Sequence, residues 1–312
     1  MDDTPERPVT IRHYRQLANT IVERHFGKPP RRIVYRRSGR TNFVFAINHV
    51  EGQFVVRISP DPERIGAFRK ELWASQKVRE AGVPSPEILK VGSSDGSEPY
   101  MITRRVTGEE ATHHPQRERI IHQMGHYARI INSIPTKNFG ANFDWTNGEK
   151  RHTWDEYLDN ELQFETRLRL LTTHHILSQR EAKKLRRIID DTRTMRIKPH
   201  LNHGDLRLKN VIVDDDGEIA AIVDWEECLS TIAPQWELSI SLHDLSIDEK
   251  HLFIDGYELG NDRLAEMSPL IKAFNIINYA SAIERAIEIR DRKMLDEFKL
   301  RLNGALDLYS IT

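Results

Sequence analysis

The stretch that decides the fold is His203-Gly204-Asp205-Leu206-Arg207-Leu208-Lys209-Asn210, with Asp224-Trp225 further along the chain. An acid stands directly after a glycine, an amide follows five residues later, and a second acid comes after two apolar runs. Phosphoryl transfer needs one carboxylate to accept the proton of an attacking hydroxyl, and an amide plus a second carboxylate to hold Mg²⁺. The spacing therefore indicates chemistry of this kind.

A hairpin is expected between the two halves of this pattern. Two apolar runs follow Asn210, separated by an Asp-rich turn that ends in Gly217. Asp-Gly between β-branched runs is a strong hairpin signal. Pairing Val213 with Glu218 turns the chain back and leaves Asp224 about three residues, or ~10 Å, beyond the position opposite Asn210. The hairpin thus permits a shared metal without requiring one.

The whole pattern, with the hairpin between its halves, resembles the aminoglycoside phosphotransferase family of small-molecule kinases, and the resemblance extends from about Arg31 to Tyr257. It implies an α+β, protein-kinase-like fold with two lobes. Residues 1–105 would form an N-lobe, an antiparallel sheet with one helix that binds the nucleotide. Residues 106–312 would form a mostly helical C-lobe with the catalytic loop, the metal site and the substrate-binding helices.

The resemblance also assigns roles to residues of the pattern. Asp205 would be the catalytic base, and His203 would brace the loop without donating protons. Asn210 would act in the catalytic loop and, with Asp224, would hold Mg²⁺. ATP or GTP would be the phosphate donor, so most of the catalysis would be positioning and electrostatics.

The first lobe contains the expected nucleotide contacts. Strands are predicted over residues 31–37, 43–47 and 53–58, and the turn at Ser38-Gly39 occupies the position of a kinase's phosphate-covering loop. A single glycine makes that signal weak, because an ordinary hairpin turn has the same composition.

Arg57 lies on the third strand, where the resemblance places the ATP-contacting lysine. A guanidinium can bind phosphate oxygens in a bidentate manner, so the exchange is physically reasonable. A helix is predicted from Pro62 to Ala81, with Glu71 on the flank of its apolar stripe. In the kinase fold this glutamate pairs with the cation of the third strand. The predicted pair is Arg57–Glu71; solvent exposure of both is the alternative.

The remaining elements follow from apolar spacing and breakers. Strands are predicted over residues 87–91 and 99–104, and Thr103 and Arg105 fall in the segment that resembles the inter-lobe connection, where adenine would be bound by backbone groups. Helices are predicted over residues 8–26, 116–134, 180–195, 233–245, 263–290 and 292–308.

Composition limits the class of protein. Cys228 is the only cysteine, which excludes an internal disulfide and fits a reducing cytoplasm. No apolar run approaches a membrane span and the start lacks a signal-peptide pattern, so we expect a cytoplasmic protein that binds neither membrane nor nucleic acid. A monomer is the default expectation. No P-loop motif is present, and no Ala-Pro-Glu segment follows Asp224 to indicate a protein kinase.

The charge is unevenly distributed along the chain. Residues 1–105 contain 19 Lys and Arg against 12 Asp and Glu, a net +7, and residues 106–312 contain 27 against 35, a net −8. A basic first lobe suits phosphates, and an acidic second lobe suits a cationic, hydroxylated acceptor. Candidate acids for that acceptor are Glu226 and Glu227, just after the motif, and Glu237, Asp244 and Asp248 on the helices beyond it.

Three functions remain open at this stage. The first is an antibiotic-resistance kinase that phosphorylates an aminoglycoside hydroxyl. The second is a metabolite kinase of the same fold, acting on an amino alcohol or a sugar. The third is a catalytically inactive nucleotide-binding regulator, which the intact Asp205, Asn210 and Asp224 disfavour.

Overall fold

The N-terminal part of the chain is built around one antiparallel sheet. The structure, a computed structural model, describes residues 8–37, 42–146 and 152–308. The strands, in the order β1-β2-β3-β5-β4 and all paired antiparallel, are β1 (Arg32–Arg36), β2 (Phe43–His49), β3 (Gly52–Ile58), β4 (Ile88–Ser93) and β5 (Pro99–Arg104).

The sheet presents its two faces to different neighbours because side chains alternate along each strand. Helix α1 (Pro8–Phe26) covers one face, where its Val22 belongs to the same buried cluster as Phe45 and Val56. Val55 and Arg57, the neighbours of Val56 along β3, belong to the opposite face and border a cleft. The predicted outer helix and the predicted strands of the sheet are confirmed. The alternation of side chains along β3 directs Arg57 to the interior of the molecule.

Helix α2 (Ile65–Glu80) connects the sheet to the rest of the molecule. A short turn, Pro62–Arg64, precedes it, and Asp61 caps that turn by accepting a hydrogen bond from the Glu63 N–H at 3.0 Å. Ala74 and Val78 of α2 are fully buried in the main core of the C-terminal part. The helix therefore packs on both lobes and fixes the position of Glu71.

The C-terminal part is mostly helical, so the predicted kinase-like α+β fold is confirmed. Its helices are α3 (Arg117–Ser133), α4 (Trp154–Glu156), α5 (Phe164–Thr173), α6 (Gln179–Arg193), α7 (Gln235–Ser241), α8 (Ile247–Gly256), α9 (Asn261–Glu288) and α10 (Arg292–Leu308). One π-helical turn, Tyr157–Glu161, directly follows α4. No helix among the described residues combines the length and the apolar character needed to cross a bilayer.

Two small sheets carry the predicted catalytic stretch. One has the order β6-β8-β9, and the other pairs β7 with β10; their strands are β6 (Glu109–Glu110), β7 (His200–Asn202), β8 (Val211–Val213), β9 (Ile219–Ile222) and β10 (Leu229–Thr231). β5 ends at Arg104 and β6 already pairs with β8. The division of the chain at residue 105 stays a prediction.

The hairpin β8–β9 exists as predicted, but its register differs. Val213 pairs with Ile219, and an irregularity follows, so that Ile212 pairs with Ala221. The N–H of Val223 then donates to the Asn210 carbonyl at 2.9 Å. Because of this shift Asp224 comes directly after the residue opposite Asn210, and the predicted gap of three residues is wrong. This register places the two predicted metal ligands closer together than the predicted one.

Candidate active site

The loop that begins at His203 is anchored by buried polar contacts. The His203 side chain is fully buried; its Nε2 is 3.1 Å from the Val223 carbonyl, and its Nδ1 accepts a hydrogen bond from the Asp205 N–H at 3.2 Å. This arrangement requires the tautomer protonated on Nε2. Burial lowers the pKa of His203 to about 4. A neutral imidazole therefore ties the loop to the end of β9.

Glu237 holds the backbone of the same loop. Its carboxylate is fully buried and accepts hydrogen bonds from the His203 N–H at 2.5 Å and from the Ser241 hydroxyl at 3.1 Å. Burial raises the pKa of Glu237 to about 7, although these donors favour the charged form. The structure does not support the predicted substrate contact at Glu237, because a fully buried side chain that holds the backbone of the loop does not face an acceptor.

Asp205 is surrounded by donors from its own loop. Its Oδ1 accepts from Arg207 Nε at 2.5 Å, and its Oδ2 lies 2.8 Å from Lys209 Nζ and 2.9 Å from Asn210 Nδ2. Arg207 also reaches Asp244 at 3.3 Å. The His243 and Arg207 side chains hold the pKa of Asp244 well below its usual range. These contacts fix the direction of the Asp205 carboxylate.

Asp224 adopts a left-handed backbone conformation, with φ 69° and ψ 56°. Asp is one of the few residues that visit this region readily, and strained positions are frequent at functional sites. The conformation ends β9 and starts the turn Trp225–Glu227. It also brings one carboxylate oxygen of Asp224 within 4.8 Å of oxygens from both Glu71 and Glu226, in a mutually close group of three acids.

Arg57 and Glu71 form the predicted ion pair within this group. Arg57 Nη2 donates to Glu71 Oε2, and the Glu71 side chain is only 3% exposed. Burial raises the pKa of Glu71, Asp224 and Glu226 raise it further, and the guanidinium of Arg57 opposes them. Glu71 Oε1 is buried and has no hydrogen-bond partner among the described residues. Excess negative charge and a partnerless oxygen are features that a bound divalent cation would relieve.

Two cavities meet at this loop. The first, of about 560 Å³, lies between the lobes and has apolar walls that include Val55, Met101 and Ile212. Its polar lining comprises most of the residues predicted for nucleotide and metal, which are Arg57, Glu71, Thr103, Arg105, Asn210 and Asp224. The predicted Ser38 and Gly39 lie outside the described residues.

The second cavity, of about 550 Å³, is lined mostly by the C-terminal part, together with Lys70 of α2. Gly204, Asp205 and Arg207 of the loop line this cavity, whereas Lys209 and Asn210 of the same loop line the first. Glu227 lines this second cavity, whereas its neighbour Glu226 lines the first. Glu226 also pairs with Arg64 of the N-terminal part. Its predicted role as an acceptor contact stays a prediction, and in the structure Glu226 faces the first cavity, not the second.

The comparison with protein families agrees with this geometry. The model of the phosphotransferase enzyme family, APH, matches residues 32–270. The chain belongs to this family. The predicted class, an enzyme that transfers a phosphoryl group to an alcohol group of a small molecule, is thereby confirmed.

Solved structures of phosphotransferases share the fold. A crystal structure of aminoglycoside phosphotransferase APH(4)-Ia is 16% identical, with a TM-score of 0.67 over 94% of this chain and 98% of that chain. The GDP complex of wild-type aminoglycoside 2′-phosphotransferase-IIIa is 15% identical, with a TM-score of 0.64 over 94% and 98%. A comparison with curated protein sequences finds no match.

Several residues of this phosphotransferase site were not predicted from the sequence. Arg207 and Lys209 lie within the loop itself, and their cationic side chains beside a candidate base were an available signal. Glu161 and Arg167 line the second cavity from a region with no motif. Lys70 of α2 also lines the second cavity, whereas Glu71, its neighbour in sequence, lines the first.

Proposed function

We propose that this phosphotransferase binds ATP or GTP with Mg²⁺ between its lobes and transfers the γ-phosphate to a hydroxyl group of a small amine-bearing acceptor. The single observation that carries the proposal is the position of Asp205. It borders the second cavity, and its carboxylate is bonded to Asn210, which lines the first. An acceptor hydroxyl on one side and a γ-phosphate on the other would meet at this loop.

Asp205 acts as the general base in this proposal. A carboxylate has about four lone-pair positions, so a hydroxyl proton can still be accepted while Arg207 and Lys209 are bound. The two cations hold the carboxylate in one direction, and they also offset the charge that develops on the transferring group. His203, neutral and buried, contributes by fixing the loop and takes no part in proton transfer.

The residues that would hold Mg²⁺ are Asn210 and Asp224, with Glu226 within reach. Asn210 Nδ2 donates to Asp205, which leaves its Oδ1 as the oxygen available to a cation. Oxygen donors of this kind are the ligands that Mg²⁺ prefers. The bound metal would supply charge neutralisation on the phosphates. The partnerless Oε1 of Glu71 supports a cation in this region.

The nucleotide would occupy the inter-lobe cavity. Val55, Met101 and Ile212 provide apolar surface on which a flat base can pack, and Arg57 at the inner end can contact phosphate oxygens. Neighbouring structures were solved with ADP, with AMP-PNP or with GDP, which supports a nucleoside triphosphate donor without choosing between ATP and GTP.

Two acceptor classes are compatible with the second cavity. Some neighbouring structures contain hygromycin B or kanamycin, which favours an aminoglycoside and hence a resistance enzyme. A metabolite kinase of the same fold is favoured by a different observation. The cavity carries as many cationic side chains (Lys70, Arg167 and Arg207) as carboxylates (Asp205, Glu161 and Glu227), so it lacks the negative excess that a polycation requires.

The test measures ADP or GDP release with Mg-ATP or Mg-GTP across aminoglycosides, amino alcohols and amino sugars, with the phosphorylated product identified by mass spectrometry. We expect phosphate on one acceptor hydroxyl, no transfer after Mg²⁺ is chelated, and no transfer by Asp205→Asn. Acceptor-independent nucleotide binding without transfer to any member of the panel would contradict the proposal and favour a nucleotide-binding regulator.

A further inference from the structure

The loop that contains the candidate base carries two cations in different surroundings. Leu206 and Leu208 are buried in the main core of the C-terminal part. Arg207 and Lys209, which alternate with them along the chain, keep 29% and 47% of their side-chain surface exposed. Both cations contact the Asp205 carboxylate, but Arg207 lines the second cavity and Lys209 the first. Their positions separate an acceptor-side cation from a donor-side cation.

Arg207 is held by acids of the protein on both sides. Its Nε and Nη2 each lie 2.5 Å from Asp205 Oδ1, and its Nη1 lies 3.3 Å from Asp244 Oδ2. Each nitrogen of the guanidinium therefore contacts a carboxylate. A planar, rigid fork that is bound at both ends cannot turn toward the nucleotide without losing one of these contacts. Arg207 is thus suited to holding the base in position.

Lys209 has only one such contact. Its Nζ lies 2.8 Å from Asp205 Oδ2, and Asp205 is its only carboxylate partner among the described residues. An ammonium has three N–H donors, so this contact leaves the others unused. The side chain lines the first cavity together with Asn210 and Asp224, the proposed metal ligands. Lys209 can therefore bind an anion on the nucleotide side while it stays bonded to the candidate base.

Distance decides which phosphate of the nucleotide Lys209 can contact. A general base acts on a hydroxyl within about 2.6–3.2 Å, and the attacking oxygen lies about 3–3.5 Å from the phosphorus atom before transfer. The group that is transferred must then lie beside the base, and so beside the cation bonded to it. Arg57, which is bonded to Glu71, remains for the phosphates that stay with the nucleotide.

We propose that Lys209 is a catalytic residue that binds the γ-phosphate while it remains bonded to Asp205. The proposal rests on the proposed function, since it requires Asp205 as the base and a nucleoside triphosphate in the first cavity. One ammonium then lies between two anions, reduces the repulsion between the carboxylate and the phosphate, and holds the γ-phosphate near the acceptor hydroxyl.

The contact between Lys209 and the nucleotide ends with the transfer. The acceptor oxygen forms a bond to the γ-phosphorus, the bond from that phosphorus to the diphosphate oxygen breaks, and the hydroxyl proton passes to Asp205. The diphosphate that remains has no γ-phosphate for Lys209 to bind. Lys209 therefore favours the triphosphate over the diphosphate, and this preference can be measured without any acceptor.

Calorimetry with Mg-AMP-PNP and Mg-ADP, or with GMP-PNP and GDP if the enzyme uses GTP, measures the preference. Lys209→Met removes the ammonium and keeps an unbranched side chain. We expect it to weaken binding of AMP-PNP about tenfold or more and of ADP less than about twofold, because one charge-assisted hydrogen bond to the γ-phosphate is lost. Lys209→Arg should retain most of the preference. Lys184→Met, at an exposed position of α6, is the matched control.

A second background distinguishes direct contact from shielding of Asp205. If Lys209 only neutralised the carboxylate, Lys209→Met would have no effect on AMP-PNP in Asp205→Asn, where no charge remains to be neutralised. Direct contact predicts the same loss of about tenfold in both backgrounds. Arg207→Gln in the Asp205→Asn background should leave the ratio of the two affinities unchanged, because Arg207 lines the other cavity.

Three outcomes overturn the assignment of Lys209: an unchanged affinity ratio in Lys209→Met, a loss that is absent from the Asp205→Asn background, or an equal loss in Arg207→Gln. Each of them leaves the proposed phosphoryl transfer intact, provided that the wild type binds the nucleotide and phosphorylates an acceptor. Failure of the wild type to bind either nucleotide contradicts the proposed function itself. The two failures are therefore distinguishable in one set of experiments.

Discussion

The side-chain amide of Asn210 donates to both the carbonyl and the carboxylate of Asp205, at 2.8 and 2.9 Å. The nitrogen is thereby committed to the loop, and the amide oxygen is left to the inter-lobe cavity. One residue thus connects the candidate base with the candidate metal site. Its position explains why an amide, and not a third carboxylate, is suited to this point of the chain: a carboxylate would repel Asp205.

Asn210→Ala should impair metal use and catalysis together. We expect the Mg²⁺ concentration for half-maximal rate to rise about tenfold or more and kcat to fall, because a metal oxygen and a bond to the base are lost at once. A magnesium titration of the initial rate measures both. Asp215→Asn, on the exposed hairpin turn, is the control. An unchanged magnesium requirement would show that Asn210 is not a ligand.

Arg57 and Glu71 should act as a unit. Arg57→Ala should weaken catalysis strongly, and Arg57→Lys should retain part of it, because lysine restores the charge but not the planar fork. In a double-mutant cycle with Glu71→Ala, the second substitution should cost much less than the first. Arg12→Ala, exposed on α1, controls for loss of positive charge. Additive losses in kcat/KM would mean that the pair has no functional coupling.

Glu226 and Glu227 are neighbours in sequence but should have separable effects. Glu226 lines the inter-lobe cavity and Glu227 the acceptor cavity. Glu226→Gln should therefore raise the KM of the Mg-nucleotide, and Glu227→Gln the KM of the acceptor, each by about three- to tenfold. Each variant is the control for the other. The same KM rising in both variants would contradict the separation of the two cavities.

The stability of the enzyme should reveal two opposing titrations. Burial lowers the pKa of His203 from 6.5 to about 4, so the unfolded chain binds a proton that the folded chain does not, and its contribution to stability rises with pH in this interval. Burial raises the pKa of Glu237 from 4.5 to about 7, so its contribution falls as pH rises through that interval. The two slopes oppose each other between about pH 4.5 and 6.5.

His203→Gln removes one of these slopes. The free energy of unfolding of the wild type relative to the variant should increase with pH by up to about 1.4 kcal/mol per unit between about pH 4 and 6.5. Urea denaturation at a series of pH values measures this difference. His174→Gln, at an exposed position, should run parallel to the wild type. Parallel curves for His203→Gln would contradict a buried neutral imidazole.

The sequence was most informative where spacing alone determines geometry. The alternation around Arg57 and the Asp-Gly hairpin after Asn210 predicted the sheet and the return of the chain toward Asp224. The register of that hairpin could not be predicted, because the irregularity between Ile212 and Val213 lies within the strands and leaves no signature in the turn.

The acceptor cavity could not be predicted from the sequence. Glu161 and Arg167 have no motif, and only packing of a π-helical turn and α5 against α9 brings them to the cavity. Net charge was misleading, since residues 106–312 carry a net −8 but contribute only two cations and three carboxylates to this cavity, and Lys70 of α2 supplies the third cation. Glu237 illustrates the same difficulty for a single residue, because its sequence position gives no indication that its carboxylate is buried under the loop.

Asp205→Asn is the variant that tests the central claim most directly. Single-turnover transfer of the γ-phosphate from Mg-ATP or Mg-GTP, with the best acceptor of the panel, should fall by about 10²–10⁴ relative to the wild type. Calorimetry should find nucleotide affinity nearly unchanged, and Asp215→Asn should behave as the wild type in both measurements. A transfer rate for Asp205→Asn close to that of the wild type would contradict the assignment of Asp205 as the base.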